Sequence, residues 1–532
     1  MRNVLKYPLF GLLWLVDLII RQITRSVRTH RFLLGPGIEP LRWYAGRMRA
    51  WRTFHKAAHH VPAYTKHLAT HGASATLPSG GKIADALATI PEMDKAGYIK
   101  QHTVEQRSVG GKLPRRGVVV DESSGSSGVP TSWVRGPDER LATRQLLQMG
   151  FWRTQREFPD RQPFVLNCFS LGAWATGMNV STSLTEITML KSIGPDRDKV
   201  IQTMLEFGPG YTYVITGYPP FLKALFEDER LTWADYEVVT AFGGEGISEN
   251  MRAIILENAR AAYGSYGASD LEINIAIETD FSIAVRQAIA ASPELSARLT
   301  RQGDYGVLPM VFQFNPFDYL METNEAGELL VTITRATNIN PRIRYNIHDR
   351  GHVLRVRDLD PVLREFGLEG LNDERITDLP LLFLYGRSDN SVDYNGAVVA
   401  PDSVRDVIFT TPGIADLVEN HRLISYEDAA GNRQLHFAFQ LVEGAPTTAL
   451  DELAVGTHVF QQLRETNGDF SNAIRTAPEG TAPSFAIYPY RTGPFSQDGK
   501  KLKNEYVWVL EVGQIEQWEL RPGYLPPRHI KR

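Results

Sequence analysis

Cysteine is nearly absent: Cys168 is the only one in 532 residues. A disulfide framework and any multi-cysteine zinc or iron–sulfur site within the chain are excluded. HExxH and GxSxG are missing, so metalloprotease and α/β-hydrolase readings have no support. The Walker pattern GxxxxGK[ST] is missing too. No charge dominates: 57 Lys and Arg face 61 Asp and Glu, a net charge of −4. That balance argues against a general nucleic-acid binder. Long apolar runs are also lacking. The stretch from Tyr7 to Ile20, with Asp17 its only charge, is shorter than the roughly 20 residues of a comfortable membrane span. No small-residue cleavage site follows it, so a cleaved signal peptide is not expected. What remains is an ordinary globular composition, 43% hydrophobic and 22% charged, long enough for about three to four structural units.

The charge is unevenly placed. Residues 1–70 hold twelve Lys or Arg against two acids, Asp17 and Glu39, so they carry +10 and the rest of the chain −14. At helical spacing Leu5, Leu9, Leu12, Val16, Ile19, Ile20, Ile23 and Val27 fall on one stripe, with Arg21, Arg25 and Arg28 opposite. A basic, aromatic-bearing amphipathic helix can lie in a membrane interface. The same pattern serves a helix that packs on the body or on a partner subunit. Membrane contact through residues 1–34, suited to a lipophilic substrate, is therefore one expectation and packing the other.

Gly35-Pro36-Gly37 breaks the chain after this segment. Residues 40–72 read as helical, interrupted at Pro62, and 74–91 as loop. Val118-Val119-Val120 reads as a short buried strand. Phe164–Leu166, Tyr213–Ile215, Val238–Thr240, Leu329–Thr334 and Leu381–Tyr385 are strand candidates, alternating with helical stretches as in an α/β body. From about residue 390 the pattern is a smaller α+β unit, with a helix near 402–409 and strands near 436–442 and 506–512. The expected class is α/β: a large multi-subdomain nucleotide-binding domain with a small mobile α+β domain behind it. The expected bounds are 1–37, 38–387 and 388–532.

The densest chemical signal is Ser123-Ser124-Gly125-Ser126-Ser127-Gly128-Val129-Pro130. Two glycines open backbone conformations closed to other residues. Hydroxyls and free N–H groups can then surround an anion as a nest. After a strand, such a loop suits polyphosphate, although by itself it also describes a flexible linker.

Four later motifs, in order, make the chain similar to the adenylate-forming superfamily, the acyl-CoA synthetases and their relatives. The phenylacetate–CoA ligase branch resembles it most. The serine–glycine loop resembles that branch's SSGTTGxP phosphate loop, with Thr131 after the proline. Gly243-Gly244-Glu245 matches a GGE turn on the nucleotide side. Ser265-Tyr266-Gly267-Ala268-Ser269-Asp270 is similar to the YGxTE motif. Arg344 to Gly351 resembles the RYxTGD segment, and Gly386-Arg387-Ser388-Asp389 with Gly396 the GRxD…G hinge. Ile90 to Lys95 and Thr216-Gly217-Tyr218-Pro219-Pro220 echo two shorter segments.

The resemblance implies roles. The phosphate loop, Gly243, Gly244, Glu245, Gly267 and Arg387 would bind nucleotide. Tyr266 would stack on adenine, Ser269 touch phosphate, Asp349 hold the ribose hydroxyls and Asp270 hold Mg²⁺. Asp389 would be the hinge. The family's catalytic lysine maps to Lys501, which has Leu502 after it, or to Lys500, which has Gly499 before it. Trp174 and Phe169 stand where the acyl pocket begins, and Cys168 reads as a small buried hydrophobe. Two departures stand out: Asp270 replaces the usual Glu, and Asp393 replaces a common Lys.

The implied activity is ATP-dependent activation of a carboxylic acid to an acyl-adenylate, then transfer to a thiol, with CoA as the first expectation. Transfer to an amine or a carrier-protein thiol, and a non-catalytic relative of the same fold, remain alternatives. The partners implied are ATP, Mg²⁺, CoA and a small carboxylic acid, with no nucleic acid. A dimer is common in that branch. The expected location is cytoplasmic, with association at a membrane.

Overall fold

A computed structural model describes residues 6–24, 26–75, 83–123, 131–157, 160–305, 307–375, 377–388, 391–411, 413–428, 430–496, 506–510, 515, 518, 520 and 523–526. The chain opens with helices α1 (Lys6–Ile23), α2 (Val27–Leu34), α3 (Glu39–His60) and α4 (Pro62–Thr70). The leading helix is thus two helices. Pro62 starts α4 rather than kinking α3, because proline's missing N–H is harmless at a first helical position. A short helix, Ile83–Ala88, lies in the stretch expected as loop.

Strands β1 (Val119–Ser123) and β2 (Thr131–Arg135) form a separate antiparallel hairpin. Its burial is the reverse of the sequence expectation. Val120 is 57% exposed, whereas Asp121 is fully buried. The strand's inward face is polar because Asp121 pairs there with Arg135.

The large sheet has eleven strands. They are β3 (Gln162–Asn167), β4 (Met189–Ser192), β5 (Tyr211–Gly217), β6 (Glu237–Gly243), β7 (Ala261–Tyr266), β8 (Ala276–Ile277), β9 (Met310–Gln313), β10 (Tyr319–Thr323), β11 (Glu328–Ile333), β12 (Tyr345–Leu354) and β13 (Leu381–Arg387). Their order is β10-β11-β12-β13-β9-β8-β7-β6-β5-β3-β4. From β4 to β7 the neighbours run parallel, and from β7 to β10 they run antiparallel. The parallel half reads as unbroken apolar runs because helices cover both of its faces. Ligands of such sheets gather at the carboxyl ends of parallel strands. Here those ends carry Gly217, Gly243 and Tyr266.

Hairpin β14 (Val392–Tyr394) and β15 (Ala397–Val399) leads into the C-terminal unit. That unit is a four-stranded sheet of β16 (Val418–Glu427), β17 (Arg433–Leu441), β18 (Ser484–Tyr488) and β19 (Val507–Leu510), in the order β18-β17-β16-β19. Helices Pro401–Thr410, Glu452–Thr466 and Gly468–Thr476 cover it. Its core, including Val404, Phe437, Phe439, Phe460 and Phe485, is distinct from the core of the large sheet. The architecture is mixed α/β with a separate C-terminal α+β unit.

Candidate active site

Three predicted motifs meet at the carboxyl ends of β6 and β7. Gly243 ends β6, and Gly244 follows in the left-handed region at φ +87°. A Cβ on Gly244 would lie 2.5 Å from the Tyr218 ring. A Cβ on Gly267 would lie 2.6 Å from the Asn274 nitrogen and the Glu272 carbonyl oxygen. Both positions therefore require glycine. Between these turns opens a cleft, lined among others by Trp174, Gly243, Gly244, Ser265, Gly267 and Ser269.

Tyr266 joins two motifs that lie 83 residues apart. Its hydroxyl donates to Asp349 Oδ2 at 2.7 Å, inside the protein. Asp349 sits opposite Arg387 in the β12–β13 register, and Arg387 Nη1 lies 3.9 Å from Asp349 Oδ1. The carboxylate expected to hold a ribose is thus fixed by a phenol on one side and faces a guanidinium on the other.

The stem of the serine–glycine loop is clamped from below. Arg135 on β2 donates to Asp121 on β1, Nε to Oδ2 at 2.6 Å, with both side chains buried. Asn179 adds a 2.7 Å donor to the same oxygen. Arg135 also reaches the carbonyls of Ser269, at 2.5 Å, and Leu271, at 2.8 Å. One arginine therefore registers the loop's stem against the Tyr266–Asp270 motif. Sequence reasoning missed this pair; an acid on one arm of a glycine loop and an arginine on the other, two register positions deeper, was the available signal. Ser123 ends β1 opposite Thr131. Ser124, Gly125, Ser126, Ser127 and Gly128 lie outside the described residues, as do Lys500, Lys501 and the hinge candidate Asp389.

Asp270 has both oxygens engaged. Tyr345 Oη donates to Oδ2 at 2.8 Å, and Lys95 Nζ stands 3.4 Å from Oδ1. The backbone positions Lys95: Met93 bridges Tyr345 at the start of β12, its N donating to the Arg344 carbonyl at 3.1 Å and its carbonyl accepting from Asn346 N at 2.7 Å. An ammonium 3.4 Å from this carboxylate opposes a divalent cation there. In this arrangement Asp270 does not fit Mg²⁺.

The hinge side is pinned too. Burial pushes the Glu328 carboxyl up, but hydrogen bonds from Ser388, Asn346, Asn324 and His348 outweigh it and hold the group at about 2. Beyond Ser388, the β14–β15 turn reaches the cleft. Gly396, at φ +81°, approaches so closely that a Cβ there would lie 2.4 Å from the Tyr218 ring. Tyr218 is therefore gripped by Gly244 of one unit and Gly396 of the other. Asn472 Nδ2 donates to Ser170 Oγ at 2.8 Å across the same junction. Burial pushes the nearby Glu245 carboxyl up to about 7, with Asp393 adding to the shift and Arg433 opposing it.

The two acyl-pocket candidates separate. Trp174 lines the cleft. Phe169 is in the core with Val165, Val180 and Val214, edge-on to Tyr218 with 5.4 Å between ring centroids. It backs the cleft wall and does not line it. Burial pushes the Cys168 thiol well above its ordinary range, in keeping with a small core residue.

No family model and no curated protein matches this chain. Among solved structures it is similar to the amide bond synthetase McbA from Marinactinospora thermotolerans, at 14% identity over 77% of this chain and 74% of that one, TM-score 0.41. It is also similar to o-succinylbenzoate CoA synthetase (MenE) from Bacillus subtilis, at 12% identity over 69% of this chain and 64% of that one, TM-score 0.38. A third is an acyl-CoA synthetase (AMP-forming)/AMP-acid ligase II-like protein from Dyadobacter fermentans, at 13% identity over 71% and 85%, TM-score 0.30. At these identities and TM-scores the likeness assigns neither activity nor substrate to this chain.

Proposed function

We propose that this protein activates a carboxylic acid with ATP and passes the acyl group to an acceptor, as an adenylate-forming ligase. The observation that carries the reading is the Tyr266–Asp349–Arg387 constellation, in which Tyr266 stands in the chain between Ser265 and Gly267 of the cleft wall. A buried, oriented carboxylate with a phenol and a guanidinium around it is a diol-binding device. The cleft itself is glycine-walled and touches Glu122 of the hairpin that bears the serine–glycine loop.

The chemistry is consistent with these parts. A carboxylate oxygen of the acid attacks the α-phosphorus of ATP, and pyrophosphate leaves with the broken bond's electrons. The acyl-AMP formed carries a good leaving group. A nucleophile then attacks the carbonyl carbon, loses its proton and expels AMP. Catalysis of the first step is positioning and charge neutralisation. Lys95 supplies a positive charge beside Asp270. Lys501, or Lys500, is the proposed cation from the C-terminal unit.

A thiol acceptor, CoA first, is the leading reading. An amine acceptor is favoured by one feature: Glu122 and Asp469 line the cleft, and Asp393 stands near its rim by Glu245. Acids there suit a cationic amine better than a polyanionic carrier. Carboxylate-dependent ATP–pyrophosphate exchange tests the adenylation step. Comparing CoA with amines as the agent that releases AMP separates the two acceptors.

A further inference from the structure

We propose that helix α1 is a docking surface for an anionic lipid bilayer and lies in the plane of the membrane interface. A surface helix normally turns its apolar stripe to the core and its charges to water; α1 does the reverse. At about 100° per residue, Leu12, Leu15, Val16, Ile19 and Ile23 fall within roughly one third of the circumference. All five are exposed, Leu12 at 56% and Ile19 at 51%, and Leu18 flanks them, whereas the exposed Trp14 lies toward the Asp17 side of the helix. Asp17, the only acid of the helix, points the other way. It accepts from Arg52 at 2.7 Å and pairs with Arg49 at 3.0 Å, both on α3.

The orientation is held at two places. Besides Asp17, Thr24 just past the helix end receives a 2.7 Å hydrogen bond from Gln145 of the helix Pro137–Glu157. The outward apolar face therefore belongs to a helix fastened to the body. An apolar face of this kind marks an interaction surface.

Charge decides the partner. Residues 1–70 carry +10. A twofold contact through this face would bring two such segments together against their mutual repulsion. An anionic lipid surface attracts them instead. The face is a convex cylinder, which a fluid interface receives without a matching groove. The 18-residue helix is about 27 Å long at 1.5 Å per residue, short of a typical hydrocarbon core. Among the described residues no helix is long and apolar enough to cross a membrane, which fits an in-plane pose.

The test is flotation of the full chain with vesicles of phosphatidylcholine alone and of phosphatidylcholine with about one third phosphatidylglycerol, at low and high salt. The expected result is binding to the anionic vesicles, weakened by salt. The double variant Leu15→Ser/Ile19→Ser is expected to lose about tenfold or more of that binding, with its melting temperature and its exchange activity on a water-soluble acid unchanged. Failure to float with either vesicle overturns the proposal. So does a dimer, seen by light scattering, that the double variant dissolves while flotation is unaltered.

Discussion

Tyr266 donates its hydroxyl proton to Asp349 over 2.7 Å, and this one bond locks the end of β7 to the middle of β12. Both residues are buried, so neither partner can be replaced by water at no cost. Tyr266→Phe is expected to destabilise the fold by about 1–3 kcal/mol, the penalty for an unpaired buried acceptor. It is also expected to weaken nucleotide binding more than it slows turnover at saturating ATP. Urea unfolding and the ATP dependence of exchange check the two parts separately.

Arg135→Met breaks a fully buried ion pair and leaves Asp121 without its counter-ion, with Asn179 still donating to it. The expected cost is about 3–5 kcal/mol in chemical unfolding. The double variant Asp121→Leu/Arg135→Met is expected to regain much of that stability. It is not expected to regain activity, because the bonds to the carbonyls of Ser269 and Leu271 stay lost. A double variant as active as wild type would show that Arg135 serves stability alone.

Gly396→Ala puts a methyl group into the Tyr218 ring and strains a left-handed residue. The contact belongs to the arrangement in which the β14–β15 turn sits at the cleft. The substitution is therefore expected to affect exchange and acyl transfer unequally, by about tenfold or more. Equal losses in both half-reactions would deny the contact a part in moving between them.

Glu245 gives a pH prediction. Its carboxyl titrates near 7 in the folded chain, against an ordinary value of 4.5. The folded state therefore keeps a proton that the unfolded state has already released. This group's contribution is most favourable below pH 4.5 and is lost as pH rises through 7. Glu245→Gln is expected to raise the melting temperature above pH 7 and to flatten its fall between pH 5 and 7 (about the window of the shift). A pH profile identical to wild type would contradict the assignment.

The legible parts of the sequence were those in which local chemistry repeats. Apolar runs marked β3, β5, β6, β11 and β13, and Gly-Gly and Tyr-Gly marked the turns that wall the cleft. Contacts between distant segments were not legible. Val118 to Val120 read as a buried strand because three valines favour a pleated, half-buried surface. The structure instead buries Asp121, since Arg135 satisfies its charge. Phe169 read as pocket because it follows a strand end, yet Tyr218 stands between it and the cleft. The inverted face of α1 was hidden too, because periodicity gives an apolar stripe but not the side it faces. Asp17, paired with Arg49 and Arg52, decides that.

The central claim is that the cleft walled by Gly243, Gly244 and Gly267 makes an acyl-adenylate. The most direct measurement is ATP–pyrophosphate exchange across aryl-acetic, benzoic, short-chain, long-chain and steroid-like acids, with Asp349→Ala, Lys500→Ala and Lys501→Ala alongside. The account predicts exchange with one class of acid, none without acid, and a loss of about a hundredfold or more in Asp349→Ala and in one of the lysine variants. Measurable ATP binding with no exchange for any acid, or exchange untouched by Asp349→Ala, would contradict it.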